Sequence, residues 1–365
     1  MDFGTNAKNS IGLYLAGSKW IHDFNNSGTS INFTSDHAKK NIFAYMQGSK
    51  DGNGIKESSI ALGKEFKVSP TGTASAIART IGIYMDTAVK DGGSGEYANN
   101  TLTETGSAGS IVVEKQGIGV YAKNEDTSGN KTNKFQVRKL SSKDGGSVGI
   151  YTDGNLSLTK ASTDAIKITA EDKGIGIYGN KGKITVSNDD TEIELKNQGT
   201  GVYLTNASYL NGGKLTLKNS TSGSAAAGIY YTKGSASSQV EHKTELAVND
   251  GNDILALYVD GGINLKNTKA INLTKNQGNT AAFVTGNSEF TNAGNITLKG
   301  TGTDLQQALG IYVQNGKVTN VSGSIIEVED TKNATGSLSV GMAAVKASTG
   351  TKAEIVNDGE IKISG

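Results

Sequence analysis

A short phrase of Gly or Ala, one bulky aliphatic residue and an aromatic returns about every 25–39 residues along this 365-residue chain. It reads Gly12-Leu13-Tyr14, Gly82-Ile83-Tyr84, Gly119-Val120-Tyr121, Gly149-Ile150-Tyr151 and Gly176-Ile177-Tyr178. It continues as Gly201-Val202-Tyr203, Gly228-Ile229-Tyr230, Ala256-Leu257-Tyr258, Ala281-Ala282-Phe283 and Gly310-Ile311-Tyr312. Weaker copies stand at Phe43-Ala44-Tyr45 and Gly341-Met342-Ala343. A fixed-period unit of this size signals a solenoid, in which each unit buries its apolar face only by stacking on the next. The unbroken repeat predicts one elongated body instead of the two or three domains that length alone suggests.

The unit from Gly174 to Gly199 is the cleanest. Ile175 to Tyr178 reads as a short strand, Lys183 to Ser187 as a second with Ile184 and Val186 on one face, and Glu192 to Lys196 as a third with Ile193 and Leu195 on one face. Glycine- and Asn/Asp-rich turns separate them. Alternation of apolar and polar residues with period two marks half-buried strands. Three short strands in about 26 residues fit one coil of a three-sided β-helix, so the expected fold is all-β, a parallel β-helix of about 12 coils. Strands of four or five residues between such turns leave no room for helices. A β-propeller needs four strands in about 40 residues or more, and the leucine-rich consensus is absent.

Parity assigns faces. Ile175 and Ile177 are expected to point inward, as are Leu255, Leu257 and Val259. The tyrosines then project outward, one per coil, with the small residue two positions earlier leaving room for the ring. Near the N-terminus the spacing widens, which predicts insertions at Lys50–Thr80, Asp86–Gly109 and Lys123–Gly146, and a short helix over Ala74–Arg79. The expected organisation is residues 1–110 as coils with long insertions, and residues 111–365 as a regular stalk continuous with them.

Lys and Arg number 36 against 35 Asp and Glu, so the charge balance gives no general attraction to nucleic acid or anionic membrane. The basic run from Lys131 to Lys139 reads as a solvated face. The chain has no cysteine, which removes disulfides and thiol chemistry. No secretory leader stands at the start, and no stretch approaches the roughly 20 apolar residues of a membrane span. Because the sequence stops within an apparent strand, Glu360 to Gly365, it reads as a fragment of something longer.

Reactive constellations are sparse. His22, His37 and His242 lack metal-ligand spacing, so no metal and no cofactor is expected. Gly92 to Glu96 and Asp51 to Gly54 read as turns; neither has the ligand pattern of a calcium loop. Some β-helices cleave polysaccharides, which requires carboxylates converging on an outer groove. The adjacent pair Asp189-Asp190 is the one candidate. It sits at a turn, and Asn219 and Asn249-Asp250 occupy comparable places, so the reading is a ladder of turn residues satisfying backbone groups. An enzyme is not expected.

The tyrosine ladder has two readings. Stacked rings stabilise the sheet by about 0.5–1.5 kcal/mol per pair beyond burial; an exposed row could also meet sugars or a partner protein. Binding loci more often lie on loops held by a rigid scaffold. The candidate binding residues are therefore Tyr97 on an N-terminal insertion and the ladder members Tyr178, Tyr203, Tyr230 and Tyr258.

The strings Gly-Ile-Gly-Ile-Tyr-Gly-Asn-Lys-Gly (174–182), Gly-Ile-Gly-Val-Tyr-Ala-Lys-Asn (117–124) and Gly-Thr-Gly-Val-Tyr-Leu-Thr-Asn (199–206) resemble the passenger repeats of very large fusobacterial type V autotransporter adhesins. The resemblance covers most of the chain and is weakest before about Gly109. It implies a right-handed β-helical stalk at the cell surface, secreted across the outer membrane, with the parent anchored by a barrel. It further implies attachment to host glycans or receptors, or to partner bacteria in biofilm. No catalytic residue carries over. Two alternatives stay open: a β-helix carbohydrate-active enzyme, and a ligand-free spacer.

Overall fold

The structure is a computed structural model that describes residues 7–22, 30–75, 79–106, 108–126, 128–160, 164–187, 191–221, 224–274, 278–299, 308–329, 339–346, 348 and 352–364. The chain divides into two compact units, residues 1–188 and 189–365. The thinning of insertions expected near residue 110 falls inside the first.

In the first unit the phrase-bearing strands Ile11–Ala16, Ile42–Asp51, Ile81–Lys90, Ile118–Lys123, Val148–Asp153 and Ile175–Lys181 pair in that order, all parallel. They form one wall. A second wall runs through Lys19–His22, Ser58–Leu62, Asn100–Glu104, Asn133–Phe135, Leu156–Leu158 and Lys183–Val186. The third runs through Ile31–Phe33, Glu65–Val68, Ser110–Val113, Lys139–Ser142 and Ile166–Ala170. Each strand pairs with the strand one coil away, so parallel crossovers arise with no helix between them. The interior between the walls is largely aliphatic and aromatic. Ile83, Val120, Ile150 and Ile177 from the first wall meet Ile60, Leu102, Phe135 and Ile184 from the second, and Phe66, Ile111, Leu140 and Ile168 from the third, all with essentially no exposure.

The second unit repeats the plan. Its phrase strands Thr200–Leu204, Ala226–Thr232, Ile254–Asp260, Thr280–Val284, Leu309–Val313 and Val340–Ala344 form a parallel wall. Two of its coils depart from three separate strands. Tyr209–Asn219 and Val240–Gly251 each run unbroken through two walls. In the former, Gly212 and Gly213 turn the corner with φ of 77° and 55°, a region that costs a glycine little. The Thr244 hydroxyl of the next coil donates to the Gly212 carbonyl at 2.8 Å, so the bend stays hydrogen-bonded. The fold class is thus the expected parallel β-helix.

Strict parity fails inside the phrase, and the reason is local. The ladder pairs Ile118 with Ile81 and Val120 with Ile83 but skips the intervening glycines. The strand bends there, so the glycine and the following aliphatic both face inward. A Cβ on Gly82 would lie 2.6 Å from the Gly119 carbonyl oxygen and 2.7 Å from Phe66; one on Gly119 would lie 2.7 Å from both the Gly149 oxygen and Val113. These glycines make room for the core and the next rung, not for the tyrosine ring. The residue before the small residue can therefore turn outward: Ile175, before Gly176, and Leu255, before Ala256, are half-exposed while Ile177, Leu257 and Val259 are buried. The expectation that Ile175 and Leu255 point inward is overturned. The odd copy Phe43-Ala44-Tyr45 now makes sense. Ala44 pairs with Ile83; Phe43, standing where Gly82 stands, is buried with its ring 4.9 Å from Phe66. Large-small has replaced small-large across the two inward positions.

The widened N-terminal spacing is only partly loop. Ile42–Asp51 overruns its rung and folds back on Gly54–Lys56 as an antiparallel hairpin, with Asp51 accepting the Asn53 N–H at the turn. Strands Ser58–Leu62 and Glu65–Val68 then resume the coil. Ile81–Lys90 overruns likewise and returns through an antiparallel bridge between Ala88 and Tyr97. The Lys50 ammonium pairs with Glu96 at 2.5 Å across the two hairpins. Glu96 also accepts the Gly93 N–H at 2.6 Å, which closes the Gly92–Glu96 turn. The short helix expected over 74–79 falls largely on residues 76–78, outside the described residues. One helical turn appears among the described residues, a 3-10 turn at His37–Lys39 capped by Asp36.

Several polar side chains are met rung by rung. Asn267, Asn292, Asn320 and Asn357 are in register, and each amide nitrogen donates to the next side-chain oxygen at 2.9–3.0 Å. Asn100 and Asn133 repeat the link in the first unit at 3.1 Å. His37 is buried with Nδ1 accepting from Thr80 N–H, which leaves Nε2–H to donate to the Lys115 carbonyl. His242 lies wholly inside the second unit, its Nδ1 2.9 Å from the hydroxyl of Tyr231, itself buried.

Two outcomes follow from this packing. Phe43→Ala should lower stability by about 3–5 kcal/mol through cavity formation, and adding Ala44→Ile should recover part of that loss, read by urea or thermal unfolding. His242 supplies the second. Burial pulls its imidazole down to about 4 from the usual value near 6.5. The unfolded chain therefore takes up a proton that the folded unit refuses. Stability from the neutral ring is complete above about pH 6.5 and falls as pH drops toward 4, by an amount on the order of 3 kcal/mol. Unfolding measured across that window should lose this acid dependence in His242→Gln.

Candidate functional site

The outer surface of the phrase wall is built from three register-aligned rows. The first is aromatic. In the first unit, centroids of Tyr45, Tyr84, Tyr121, Tyr151 and Tyr178 follow one another at 4.8–5.0 Å with planes within 13° of parallel. Tyr14 adds a ring at 5.8 Å from Tyr45. The spacing is that of neighbouring strands, about 4.7–4.9 Å, because the tyrosines are partners in the ladder. The second unit carries Tyr203, Tyr230, Tyr258, Phe283 and Tyr312 at 4.7–5.3 Å. All these rings face outward and are half-buried, apart from the more exposed Tyr14. Each interior ring has both faces covered by neighbours. What such a row offers a ligand is edges and hydroxyls, not faces on which a sugar could stack.

The second row follows two residues later, or three at Lys181 where the register shifts: Gln47, Asp86, Lys123, Asp153 and Lys181 are successive ladder partners in the first unit. Lys123 lies 3.8 Å from Asp86, and Lys181 lies 3.3 Å from Asp153. The Tyr45 hydroxyl donates to Asp86 at 3.0 Å, and Tyr230 donates to Asp260 at 2.7 Å in the second unit. Alternating charge favours the observed register over a slip, which would bring like charges together. Burial, then neighbouring tyrosines and carboxylates, pushes the Tyr121 and Tyr151 hydroxyls up to about 12. Tyr178 and Tyr258 are raised chiefly by burial, as is Tyr230, where the bond to Asp260 adds to it.

The third row consists of the residues before each phrase; in the first unit Ile42, Ile81 and Ile175 are half-buried, whereas Ile118 and Val148 are buried. In the first unit it reads Ile42, Ile81, Ile118, Val148, Ile175. With Tyr121, Tyr151, Tyr178, Gly146, Lys40 and Arg79 it lines a groove of about 660 Å³. In the second unit the same row reads Thr200, Ala227, Leu255, Thr280, Leu309, so a continuous aliphatic floor belongs to the first. The signal stands in the sequence as the residue before each phrase, and was missed because alternation assigned it to the core.

Of the five candidate residues, Tyr178 lines the groove; Tyr203, Tyr230 and Tyr258 share the second unit's ladder. Tyr97 stands apart on a hairpin arm, half-buried and bridged to Ala88. The Asp189-Asp190 pair lies outside the described residues. Asn219 acts as a turn residue: its amide donates to the Asn252 carbonyl at 2.7 Å and its oxygen accepts the Thr221 N–H. No group of three or more His, Asp or Glu that could hold a metal ion stands among the described residues.

Parallel walls wound into coils define a parallel β-helical domain. Residues 142–365 match the family model described as the BigA third pectate lyase-like domain, and the chain belongs to that family. Membership places it with adhesin-like bacterial passengers, which are surface-exposed. No curated protein and no solved structure matches the chain. No helix among the described residues is long and apolar enough to cross a membrane.

The raised hydroxyls make an alkaline prediction. Neutral tyrosine is favoured in the folded state, so its contribution is complete below about pH 10 and is lost as pH rises toward 12. Ultraviolet titration should show Tyr121 and Tyr151 ionising late, and Tyr121→Phe plus Tyr151→Phe should flatten the loss of stability in that window.

Proposed function

We propose that this chain is a surface-displayed adhesin segment of the kind carried by large fusobacterial type V autotransporters, acting by display and not by turnover. The observation that carries the reading is family membership on a β-helical scaffold whose outer rows are self-paired ladders. A rung that satisfies its own backbone and its own charges forms a stiff support for hairpins such as the two joined by the Lys50–Glu96 ion pair. The parent protein crosses the outer membrane and is held there by a barrel. The partners are host-cell glycans or receptors, or other bacteria in a biofilm; no cofactor or metal takes part.

The stacked geometry shifts the binding locus within this reading. Ring faces in the ladder are occupied, so Tyr203, Tyr230 and Tyr258 serve the scaffold, whereas Tyr97 lies outside the ladder on a hairpin arm. Purified chain should bind host epithelial cells or partner bacteria saturably and should release no sugar ends from a polysaccharide panel. Tyr97→Ala should weaken cell binding about ten-fold, and Tyr230→Ala should leave it within about two-fold. Sugar release abolished by Asp189→Asn with Asp190→Asn would make the chain an enzyme instead. Absence of any cell binding, with a longer piece of the parent competent, would make it a spacer.

A further inference from the structure

The aliphatic groove of the first unit has no part in attachment by hairpins. Its floor residues Ile42, Ile81, Ile118, Val148 and Ile175 stand in register on neighbouring rungs. At about 4.8 Å per rung the floor runs for about 19 Å. The enclosed volume, about 660 Å³, lies within the range of small-molecule sites, roughly 300–1,000 Å³. Two cations close one rim. Lys40 and Arg79 each precede a paired floor residue, Ile42 and Ile81, by two positions, so they stand on adjacent rungs at the same edge. One Arg79 Nη donates to the Gly146 carbonyl at 2.6 Å, which lays the guanidinium along the rim and leaves its other N–H groups for a ligand. No lining residue is acidic.

We propose that this groove binds a free long-chain fatty acid, with the acyl chain along the aliphatic floor and the carboxylate between Lys40 and Arg79. The lining discriminates by what it lacks. A sugar would set its hydroxyls against isoleucine, and each buried hydroxyl left unpaired costs about 1–3 kcal/mol. An extended peptide would meet the same difficulty with its backbone, because the floor strands already spend their N–H and C=O groups on neighbouring coils. An acyl chain carries no polar group along its length and one anion at its end. That is the polarity of the groove: apolar along five rungs and cationic at one rim. The tyrosine edges form the second side wall, and their stacking fixes its shape before any ligand arrives.

The test uses the full chain and sodium palmitate below its aggregation concentration, followed by titration calorimetry. One palmitate should bind per chain. Hexadecanol, with the same chain and no charge, should bind about ten-fold or more weakly, and Lys40→Gln with Arg79→Gln should weaken palmitate by a similar factor. Methyl signals of the half-buried Ile81 and Ile175 should shift on binding, while those of Ile361 and Ile363, which are exposed outside the groove, should not. Non-saturable uptake, equal affinity for palmitate and hexadecanol, or unselective methyl shifts would overturn the proposal. The wild-type comparison of the two amphiphiles stands even if the double variant fails to fold. Cell attachment and palmitate binding are read separately, so either can fail without the other.

Discussion

Register between consecutive coils is the constraint from which the rest of each unit follows. Once Tyr121 is paired with Tyr84 and Tyr151, like residues superpose through every row of the wall. Aliphatics meet aliphatics inside, asparagines bond asparagines at the corner, rings stack on rings outside, and lysine falls beside aspartate. Each ladder contributes little alone. Because all share one register, a slip of a single residue would break every ladder together and turn inward faces outward. A sequence of modest hydrophobicity, 35% by residue count, can specify a unique winding in this way without a thick core.

The glycine of the phrase is where register meets packing. It sits at a bend where two successive residues face the interior, and its missing side chain leaves room for the carbonyl of the next rung. On the outer side, the same bend places the preceding residue beside the aromatic row. One local feature thus produces both the dense interior and the apolar outer row. Whether that row becomes a groove depends on the residue before each glycine, which is a run of Ile and Val in the first unit and a mixture in the second.

The ladder of tyrosines illustrates how a residue suited to binding can be committed to structure. Free tyrosine rings are good contact surfaces, with an apolar face and a polar tip. Here the faces are consumed by neighbours at about strand spacing, and hydroxyls such as those of Tyr45 and Tyr230 are engaged by carboxylates. Such a surface resists deformation and offers few unsatisfied groups. On the readings proposed above, contacts with other molecules fall to places where the repeat is broken, such as the hairpins around Tyr97 and the rim at Lys40 and Arg79.

The amino-acid sequence by itself determined the class of fold, the three-strand coil and the outward tyrosines, because a repeated phrase can satisfy its backbone and its alternating faces only by stacking on copies of itself. It also carried the turn role of Asn219, through the local preference of asparagine for its own backbone. Tertiary structure decided what period-two reasoning had no means to see. Small residues skipped by the ladder, Gly176 and Ala256, place Ile175 and Leu255 on the outer side; Phe43 and Ala44 exchange volumes against Phe66; the hydroxyl of the inward Tyr231 meets His242. Each of these depends on the volume and hydrogen-bonding groups of residues a full coil or more away, and alternation along one strand contains no record of what the neighbouring coil leaves empty.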